Sequence, residues 1–434
     1  MQNENGASTS FITKKSLSWA MYDWANSVFT LVVITGLYPV IYGNYWAAGQ
    51  TSEAVTFQLG TANSLASLVI VVAAPVLGAF ADRSGAKKRL LALFAWMGIL
   101  MTCCLYWVQA GGWQVSLVLF TLGTVSFLAA NVVYDALIVN VSDENNVDMI
   151  SSLGYALGYI GSALMFVFCY WMTQDPELFG LEDGIEAIRV SFLLVALWWA
   201  IFSIPIFLFV DEKPGEKMSI GDAMTSGFRQ VISTIKSIRQ HRAVAIFLLA
   251  YFLYIDGVDT IIRMAIDYGR ALEFDTSSML TALLLTQFIA FPATLAFGWL
   301  AKRFGTRAML LVGIGVYMVV TIWASLIQTE QEFYYIAIMI GLVQGGVQSL
   351  SRGLYTRLIP ADRVAEFFGF YNIMGKSAVF LGPLLMGIVT VITGSHRLGI
   401  LVLLVFFIAG ALVLLKVPMP EPAQDKHASS GSSG

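Results

Sequence analysis

The sequence contains few charged residues. Asp, Glu, Lys and Arg make up only 12 % of its 434 residues, whereas 57 % are hydrophobic. Soluble domains contain about 25 % charged residues. A soluble chain cannot bury this much apolar surface, because a single hydrophobic core stops growing beyond roughly 250–300 residues. The composition therefore excludes a soluble enzyme and a disordered chain, and it indicates a polytopic membrane protein.

Cysteine and histidine are scarce, with three residues of each. The cysteines lie in apolar runs, which argues against a disulfide framework. The histidines fall in predicted loops or in the tail, so no histidine at membrane depth predicts a metal site or an acid–base pair. The chain also lacks a Gly-x-x-x-x-Gly-Lys-Ser/Thr run. We therefore expect no enzyme activity, no metal, no cofactor and no nucleotide as the energy source.

Twelve apolar runs are long enough to cross the hydrocarbon layer as helices, which takes about 20 residues. Helices are expected because every backbone polar group must be satisfied within its own segment. The sequence thus predicts an all-α membrane protein with two six-helix bundles at 1–210 and 243–416, a linker at 211–242 and a disordered tail at 417–434. The runs cover residues 17–42, 56–81, 90–109, 114–140, 151–173, 188–210, 243–266, 277–301, 308–327, 332–356, 367–393 and 398–416.

The distribution of basic residues predicts the orientation. With the N-terminus in the cytoplasm, most Lys and Arg residues outside the runs are cytoplasmic, and only Arg189, Arg270 and Arg397 remain on the other side. Because cytoplasmic loops are enriched in Lys and Arg, both termini are expected in the cytoplasm. The net charge of −3 gives no argument for a nucleic-acid partner. We expect a monomer in the bacterial inner membrane, with membrane lipids and a small-molecule substrate as partners.

The linker contains an amphipathic pattern. Apolar residues recur at helical spacing from Ile220 to Ile238, with Arg229 and Lys236 on the opposite side. This pattern predicts a helix. It either lies on the inner membrane surface or packs against the protein, and the sequence does not distinguish the two.

The two halves carry an internal repeat. Gly78-Ala-Phe-Ala-Asp-Arg-Ser-Gly85 follows the second run, and Gly298-Trp-Leu-Ala-Lys-Arg-Phe-Gly305 follows the eighth. Parallel repeats of this kind are the architecture of major facilitator transporters. The first copy also resembles the signature loop of that superfamily. The resemblance implies a cytoplasmic gate formed by Gly78, Asp82, Arg83 and Gly85, in which Asp82 binds the N-terminus of a neighbouring helix.

Three further motifs narrow the family. The first run contains Tyr22-Asp-Trp-Ala-Asn-Ser27, the seventh contains Tyr254-Ile-Asp-Gly-Val258, and the last third of the chain contains Gln344-Gly-Gly-Val-Gln-Ser-Leu-Ser-Arg352 and Glu366-Phe-Phe-Gly-Phe-Tyr-Asn-Ile-Met-Gly-Lys376. These stretches resemble the bacterial relatives of the autophagy-related vacuolar amino-acid effluxers, a branch of the major facilitator superfamily. The resemblance implies transport of an amino acid or a similar zwitterion. It leaves the direction of transport open.

Charged side chains at membrane depth are costly, by roughly 2.5–3.5 kcal/mol each on insertion scales, so they mark candidate sites. Here they fall with other polar residues on the first, fourth, seventh and tenth runs, which by resemblance line the central cavity. The candidates for substrate binding or coupling are Asp23, Trp24, Asn26, Asn131, Tyr134, Asp135, Tyr254, Asp256, Asp259, Arg263, Gln344 and Gln348.

Depth divides the charged candidates into two groups. A rise of 1.5 Å per residue places Asp23 and Asp135 about 10 Å or less from the cytoplasmic ends of their helices. Arg352 and Lys376 lie at similar depth in the other half. We expect ion pairs between the halves that close the cytoplasmic gate. The alternatives are a solvated Asp135, a structural role for Asp23 at a helix end, and a Lys376 side chain that reaches the surface.

The second group lies nearer the middle of the membrane. Asp256, Asp259 and Arg263 are spaced at i, i+3 and i+7 on the seventh run. A carboxylate and a guanidinium together suit a zwitterionic substrate, and a buried carboxylate suits proton coupling. Alternatively, Asp259 and Arg263 neutralise each other at i, i+4. The sequence thus predicts a secondary active transporter that works by alternating access. It favours protons as the coupling ion and does not exclude Na⁺ or facilitated diffusion. The alternative is a lipid or lipid-head-group transporter.

Overall fold

The computed structural model describes residues 12–212, 241–272 and 274–419. Within them the chain forms twelve long helical segments joined by short connections. Their bounds are α1 Lys14–Trp46, α2 Ser52–Ser84, α3 Lys87–Cys104, α4 Trp113–Ala136, α5 Val147–Gln174, α6 Gly184–Phe209, α7 Arg242–Ala271, α8 Thr276–Phe304, α9 Thr306–Leu326, α10 Glu330–Leu358, α11 Val364–Thr393 and α12 His396–Leu415.

Eleven helices in the described part of the chain are long and apolar enough to cross a membrane, and α11 contains a shorter apolar helix, Leu381–Thr393. The predicted all-α membrane architecture is therefore confirmed. Several helices extend beyond the apolar runs because polar caps begin them. Thr13 and Thr329 form capping boxes at the starts of α1 and α10, and Asp183 accepts a backbone hydrogen bond at the start of α6. The predicted linker helix lies outside the described residues.

Successive helices run in opposite directions, so the bundle has two faces. We call the face where α1 begins and α12 ends the terminal face, and the other the opposite face. At the terminal face Arg307, at the start of α9, donates hydrogen bonds to the carbonyl oxygens of Leu415 and Val417 after α12. The half of α1 nearer the opposite face departs from α-helical geometry, since Phe29–Leu37 and Tyr42–Trp46 are π-helical. Such π turns occur frequently at functional sites.

The two halves meet through helix pairs that the internal repeat relates. Helix α2 packs against α11, and α8 packs against α5. At Gly78 on α2, an added Cβ would lie 2.8 Å from the Cα of Glu366 on α11. At Gly298 on α8, it would lie 2.9 Å from the Cβ of Ser152 on α5. Both glycines thus permit close approach near the terminal face, and the repeated motif marks two of the contacts between the halves.

Candidate functional site

A polar cavity lies between the two halves, above their contacts at the terminal face. It holds about 880 Å³ of empty space, part of which is open to solvent. Six helices contribute to its wall. Its lining residues are Asp23, Asn26 and Ser27 of α1, Phe127, Asn131, Tyr134 and Asp135 of α4, Tyr155 of α5, Tyr251, Ile255 and Asp259 of α7, Gln348 and Arg352 of α10, and Tyr371, Asn372 and Gly375 of α11.

Arg352 forms the floor of this cavity and connects the two halves. Its side chain is only 2 % exposed. Nη1 lies 3.0 Å from Oδ1 of Asp135, and Nη2 lies 3.5 Å from Oδ2 of Asp23. Nε donates to Oγ of Ser151 at 2.9 Å, and Nη2 donates to the Ser151 carbonyl oxygen at 3.0 Å. One arginine from the C-terminal half thus binds three helices of the N-terminal half.

Aromatic rings enclose the same guanidinium. Its central carbon lies 4.8 Å from the ring centre of Trp19 and 4.3 Å from that of Tyr155. Such cation–π contacts strengthen when the cation is shielded from water. Tyr134 stacks on Trp19, and its hydroxyl donates to Asp23 at 2.8 Å. The partners of Arg352 are therefore held in place by one another.

Above the floor, amide side chains dominate the wall. Nδ2 of Asn26 donates to Oδ1 of Asn131 at 2.6 Å, within the N-terminal half. The Tyr159 hydroxyl donates to Oε1 of Gln348 at 2.6 Å, which joins α5 to α10 across the halves. Asp259 adds a carboxylate to the wall. The cavity thus offers hydrogen-bond donors and acceptors together with charges of both signs.

The signature loop closes the terminal face below the cavity. Oδ2 of Asp82 accepts the backbone N–H of Glu366 at 2.9 Å, and Oδ1 of Asp82 lies 2.9 Å from Nζ of Lys87. A carboxylate is stabilised in this position by the positive end of the α11 dipole. Gly85 has a φ of +56°, the left-handed conformation that lets α2 end and the loop turn. Arg83 is exposed on the same loop.

A second cluster at the terminal face joins α5, α9 and α10. Oδ2 of Asp148 lies 2.7 Å from Nη2 of Arg357 and accepts a hydrogen bond from the hydroxyl of Thr306. Nη1 of Arg357 also donates to the Thr306 hydroxyl at 2.9 Å. An added Cβ at Gly353 would strike the Asp148 carboxylate. Sequence analysis did not identify this cluster.

Several of the predicted site residues lie elsewhere. Trp24 stacks on Trp198 inside the N-terminal half, with ring centres 5.2 Å apart. The Tyr254 hydroxyl is hydrogen-bonded to Ser351 at 2.6 Å and is fully buried. Gln344 lines a separate apolar cavity within the C-terminal half. None of the three predicted residues lines the polar cavity.

The three charged residues of α7 lie in different surroundings. Asp259 lines the polar cavity, Asp256 is buried within the C-terminal half, and Arg263 is exposed. The spacing i, i+3 and i+7 keeps all three within a sector of about 60° around the helix, but it places Arg263 about 10 Å further along the axis than Asp256. The side chain of Lys376 lies outside the described residues.

Eight lining residues were missed by sequence reasoning. They are Ser27, Phe127, Tyr155, Tyr251, Ile255, Tyr371, Asn372 and Gly375. Nδ2 of Asn372 lies 3.4 Å from Oδ2 of Asp135. Tyrosines are common at membrane interfaces, so their residue type gave no signal. The run Tyr371-Asn372 within an otherwise apolar helix was the one available indication.

Comparison with known proteins identifies the family. The sequence profile described as "Vacuole effluxer Atg22 like" matches residues 58–143 and 139–427. The chain belongs to this family. It is 36 % identical over 408 residues to the uncharacterized MFS-type transporter YxiO of Bacillus subtilis, covering 94 % of this chain and 95 % of the relative. It is 24 % identical to autophagy-related protein 22 of Kluyveromyces lactis, covering 74 % of this chain and 71 % of the relative.

Solved structures share the fold. The major facilitator proton:xylose symporter XylE, bound to 6-bromo-6-deoxy-D-glucose, superposes with a TM-score of 0.72 at 13 % identity, over 94 % of this chain and 96 % of the other. The predicted resemblance is therefore confirmed. This Atg22-like protein is a membrane-spanning transporter of the major facilitator superfamily and not an enzyme.

Proposed function

We propose that this Atg22-like protein is a secondary active transporter of a small zwitterion such as an amino acid, working by alternating access and coupled to protons. The observation that carries the proposal is the polar cavity between the halves, whose floor is the buried Arg352 with Asp23 and Asp135. Asp259, higher on the wall, supplies a carboxylate for a substrate ammonium group. The amides of Asn131 and Gln348 supply donors for a substrate carboxylate.

Alternating access requires a barrier that can be dismantled. Three contacts between the halves close the terminal face: the Arg352 network, the Asp148–Arg357 pair and the contact of Asp82 with the start of α11. All three consist of ion pairs and hydrogen bonds, which can break and re-form without loss of a packed apolar core. We propose that they form the gate and that substrate enters this conformation from the opposite face.

The distribution of basic residues supports a cytoplasmic terminal face, because Lys87, Arg303, Arg307 and Arg357 all lie there. We therefore propose that both termini are cytoplasmic, that the host membrane is the bacterial inner membrane and that the protein functions as a monomer. A carboxylate that binds and releases protons would couple transport to the proton gradient.

A thermal-shift panel on the purified protein tests the substrate class. It contains amino acids, dipeptides, organic acids, nucleosides and lipid head groups, each at two pH values. A ligand at 100 times its Kd adds about 2.7 kcal/mol of apparent stability. We expect an amino acid to raise the melting temperature of the wild type and of the control Glu177→Gln, an exposed acid on the opposite face. The same ligand should fail to stabilise Asp259→Asn. A response to lipid head groups alone would contradict the proposal.

A further inference from the structure

The interior of the C-terminal half contains a carboxyl group without a partner. Asp256 on α7 is fully buried, and neither of its oxygens has a hydrogen-bond partner among the described residues. The hydroxyl of Thr260, one turn further along α7, is in the same situation. A threonine within a helix commonly bonds the carbonyl oxygen four residues earlier. Thr260 does not, so its hydroxyl is available to a neighbouring group.

Both groups border the same point of α11. A Cβ added at Gly382 would overlap Oγ1 of Thr260 and would lie 3.2 Å from Oδ2 of Asp256. The glycine therefore leaves the space that the two side chains occupy. Pro383 follows directly and has no N–H to donate to the carbonyl oxygen of residue 379. The carboxyl group thus lies beside a hydroxyl and a break in the hydrogen bonding of α11.

This point is separate from the polar cavity. Ile255 and Asp259 of α7 face the polar cavity, whereas Thr260 lines an apolar cavity within the C-terminal half. The apolar cavity holds about 870 Å³ of empty space and extends towards the opposite face, where Ile327 and Phe333 line it. Helix α7 therefore lies between a polar cavity and an apolar one.

The surroundings of Asp256 contain no described cation that pairs with it. On α7 itself the titratable neighbours are Asp259 and Tyr254, and the Tyr254 hydroxyl is bound to α10. Helix α12 contributes Phe407, on which Tyr317 of α9 stacks at 5.5 Å. Helix α11 contributes Gly382 at this point, and its Lys376 has a side chain outside the described residues.

An ionised carboxylate in such a place would be strongly unfavourable, because burial removes its hydration and nothing described replaces it. A neutral carboxylic acid avoids this penalty. We propose that Asp256 is a proton-binding site, distinct from the substrate cavity, and that the proton is retained in this conformation. On release, the O–H bond breaks, the proton passes to water admitted by movement at Gly382–Pro383, and the carboxylate remains.

Asp256 would hold the coupling proton, so the role of this residue in transport rests on the proposed function. The binding of a proton by Asp256 does not depend on that function. Because Asp256 and Asp259 lie on the same helix, about 60° apart around its axis, movement of α7 would link the two sites.

Two measurements on the full-length protein in lipid vesicles at neutral pH test the site. Infrared difference spectroscopy between the wild type and Asp256→Asn should show the C=O stretch of a protonated carboxylic acid. Thr260→Val should shift the frequency of this band without removing it, because a neighbouring hydroxyl is replaced by a methyl group and the acid remains. Dicyclohexylcarbodiimide is an apolar reagent. The O–H of a protonated carboxyl group adds across one of its C=N bonds, with the proton going to nitrogen, and the resulting O-acylisourea rearranges by acyl transfer from oxygen to nitrogen into a stable N-acylurea. Peptide mass mapping should locate that adduct at Asp256.

Asp135 serves as the internal control, since it is ion-paired with Arg352 and should stay unlabelled. The carboxylic-acid band, the adduct or both would support the site. Absence of both would overturn it. If Asp256 holds a proton and no ligand in the panel binds, the proton site stands and the proposed function fails. If an amino acid binds and Asp256 is ionised, the proposed function stands and the proton site fails.

Discussion

Loss of the Arg352 guanidinium should open the terminal face. In Arg352→Gln, the carboxylates of Asp23 and Asp135 lose their shared cation while they remain in a mostly buried site. Removal of one partner of a buried ion pair costs about 3–5 kcal/mol, chiefly because the other charge is left uncompensated. The penalty applies only while the halves are closed around Arg352. It therefore shifts the balance towards the open conformation by roughly a hundred-fold to several thousand-fold.

Distances between spin labels report this shift. Cysteines introduced at Asn145 and Ala361, both exposed at the terminal face on opposite halves, carry the labels in a background without native cysteines. The wild type should show one short distance, and Arg352→Gln should show a longer one. Arg89→Gln removes an exposed basic residue from the same face and should leave the distance unchanged. The label distance in Arg352→Lys should lie between those of the wild type and Arg352→Gln, since an ammonium group keeps the charge and loses the planar set of donors.

A charge swap makes the test specific. Asp135→Arg combined with Arg352→Asp restores an ion pair across the halves, so it should recover part of the short distance that each single variant loses. If Arg352→Gln gives the same distance distribution as the wild type, Arg352 does not hold the terminal face closed and the reasoning is refuted.

Three further changes probe the contacts between the halves. Gly78→Ala should lower the melting temperature, because the new Cβ meets the backbone of α11 and overpacking costs about 1–3 kcal/mol. The control Gly60→Ala lies on the same helix with nothing within 4 Å of the added Cβ, so it should leave the melting temperature unchanged. In Asp148→Asn the buried partner of Arg357 loses its charge, so the distribution of label distances at the terminal face should broaden. An unchanged distribution would show that this pair does not hold the face closed. Tyr159→Phe removes one hydrogen bond to α10, worth about 0.5–1.5 kcal/mol, and a melting temperature equal to that of the wild type would show that this bond does not stabilise the closed form.

The sequence was sufficient to predict the helices and the positions where the halves meet. Hydrophobic run length gave the twelve spans, because the thickness of the hydrocarbon layer fixes it. The repeated glycines Gly78 and Gly298 marked the two close contacts, since only a missing Cβ permits them. Depth along each helix placed Asp23 and Asp135 at the level of Arg352, where the structure has their ion pairs.

The rotation of each helix was harder to predict. Asp256 and Asp259 are separated by about 60° around α7, and a wide polar sector is compatible with either side chain facing the cavity. Packing against α11 decides which side chain faces the cavity, because the missing Cβ of Gly382 leaves room for the Asp256 side chain away from the polar cavity. Tyr155 and Tyr371 show the converse problem. Their rings suit a lipid interface as well as a cavity wall, so only the assembled bundle assigns them to the cavity.

The two terminal-face contacts are related by the repeat and yet differ in chemistry. In the first, Asp82 of the loop supplies the negative charge at the start of α11. The repeat places Lys302 at the matching position. Each of the two contacted helices also has an acid in its own first turn, Glu366 in α11 and Asp148 in α5. An acid within the helix stabilises its N-terminus whether the face is open or closed, whereas an acid on another helix does so only while the two are in contact. The stabilisation of the α11 dipole by Asp82 therefore exists only while the terminal face is closed. The contact between α5 and α10 depends instead on Arg357. Neutralising Asp82 should weaken closure at α11 alone, which explains why one half needs the full signature loop and the other does not.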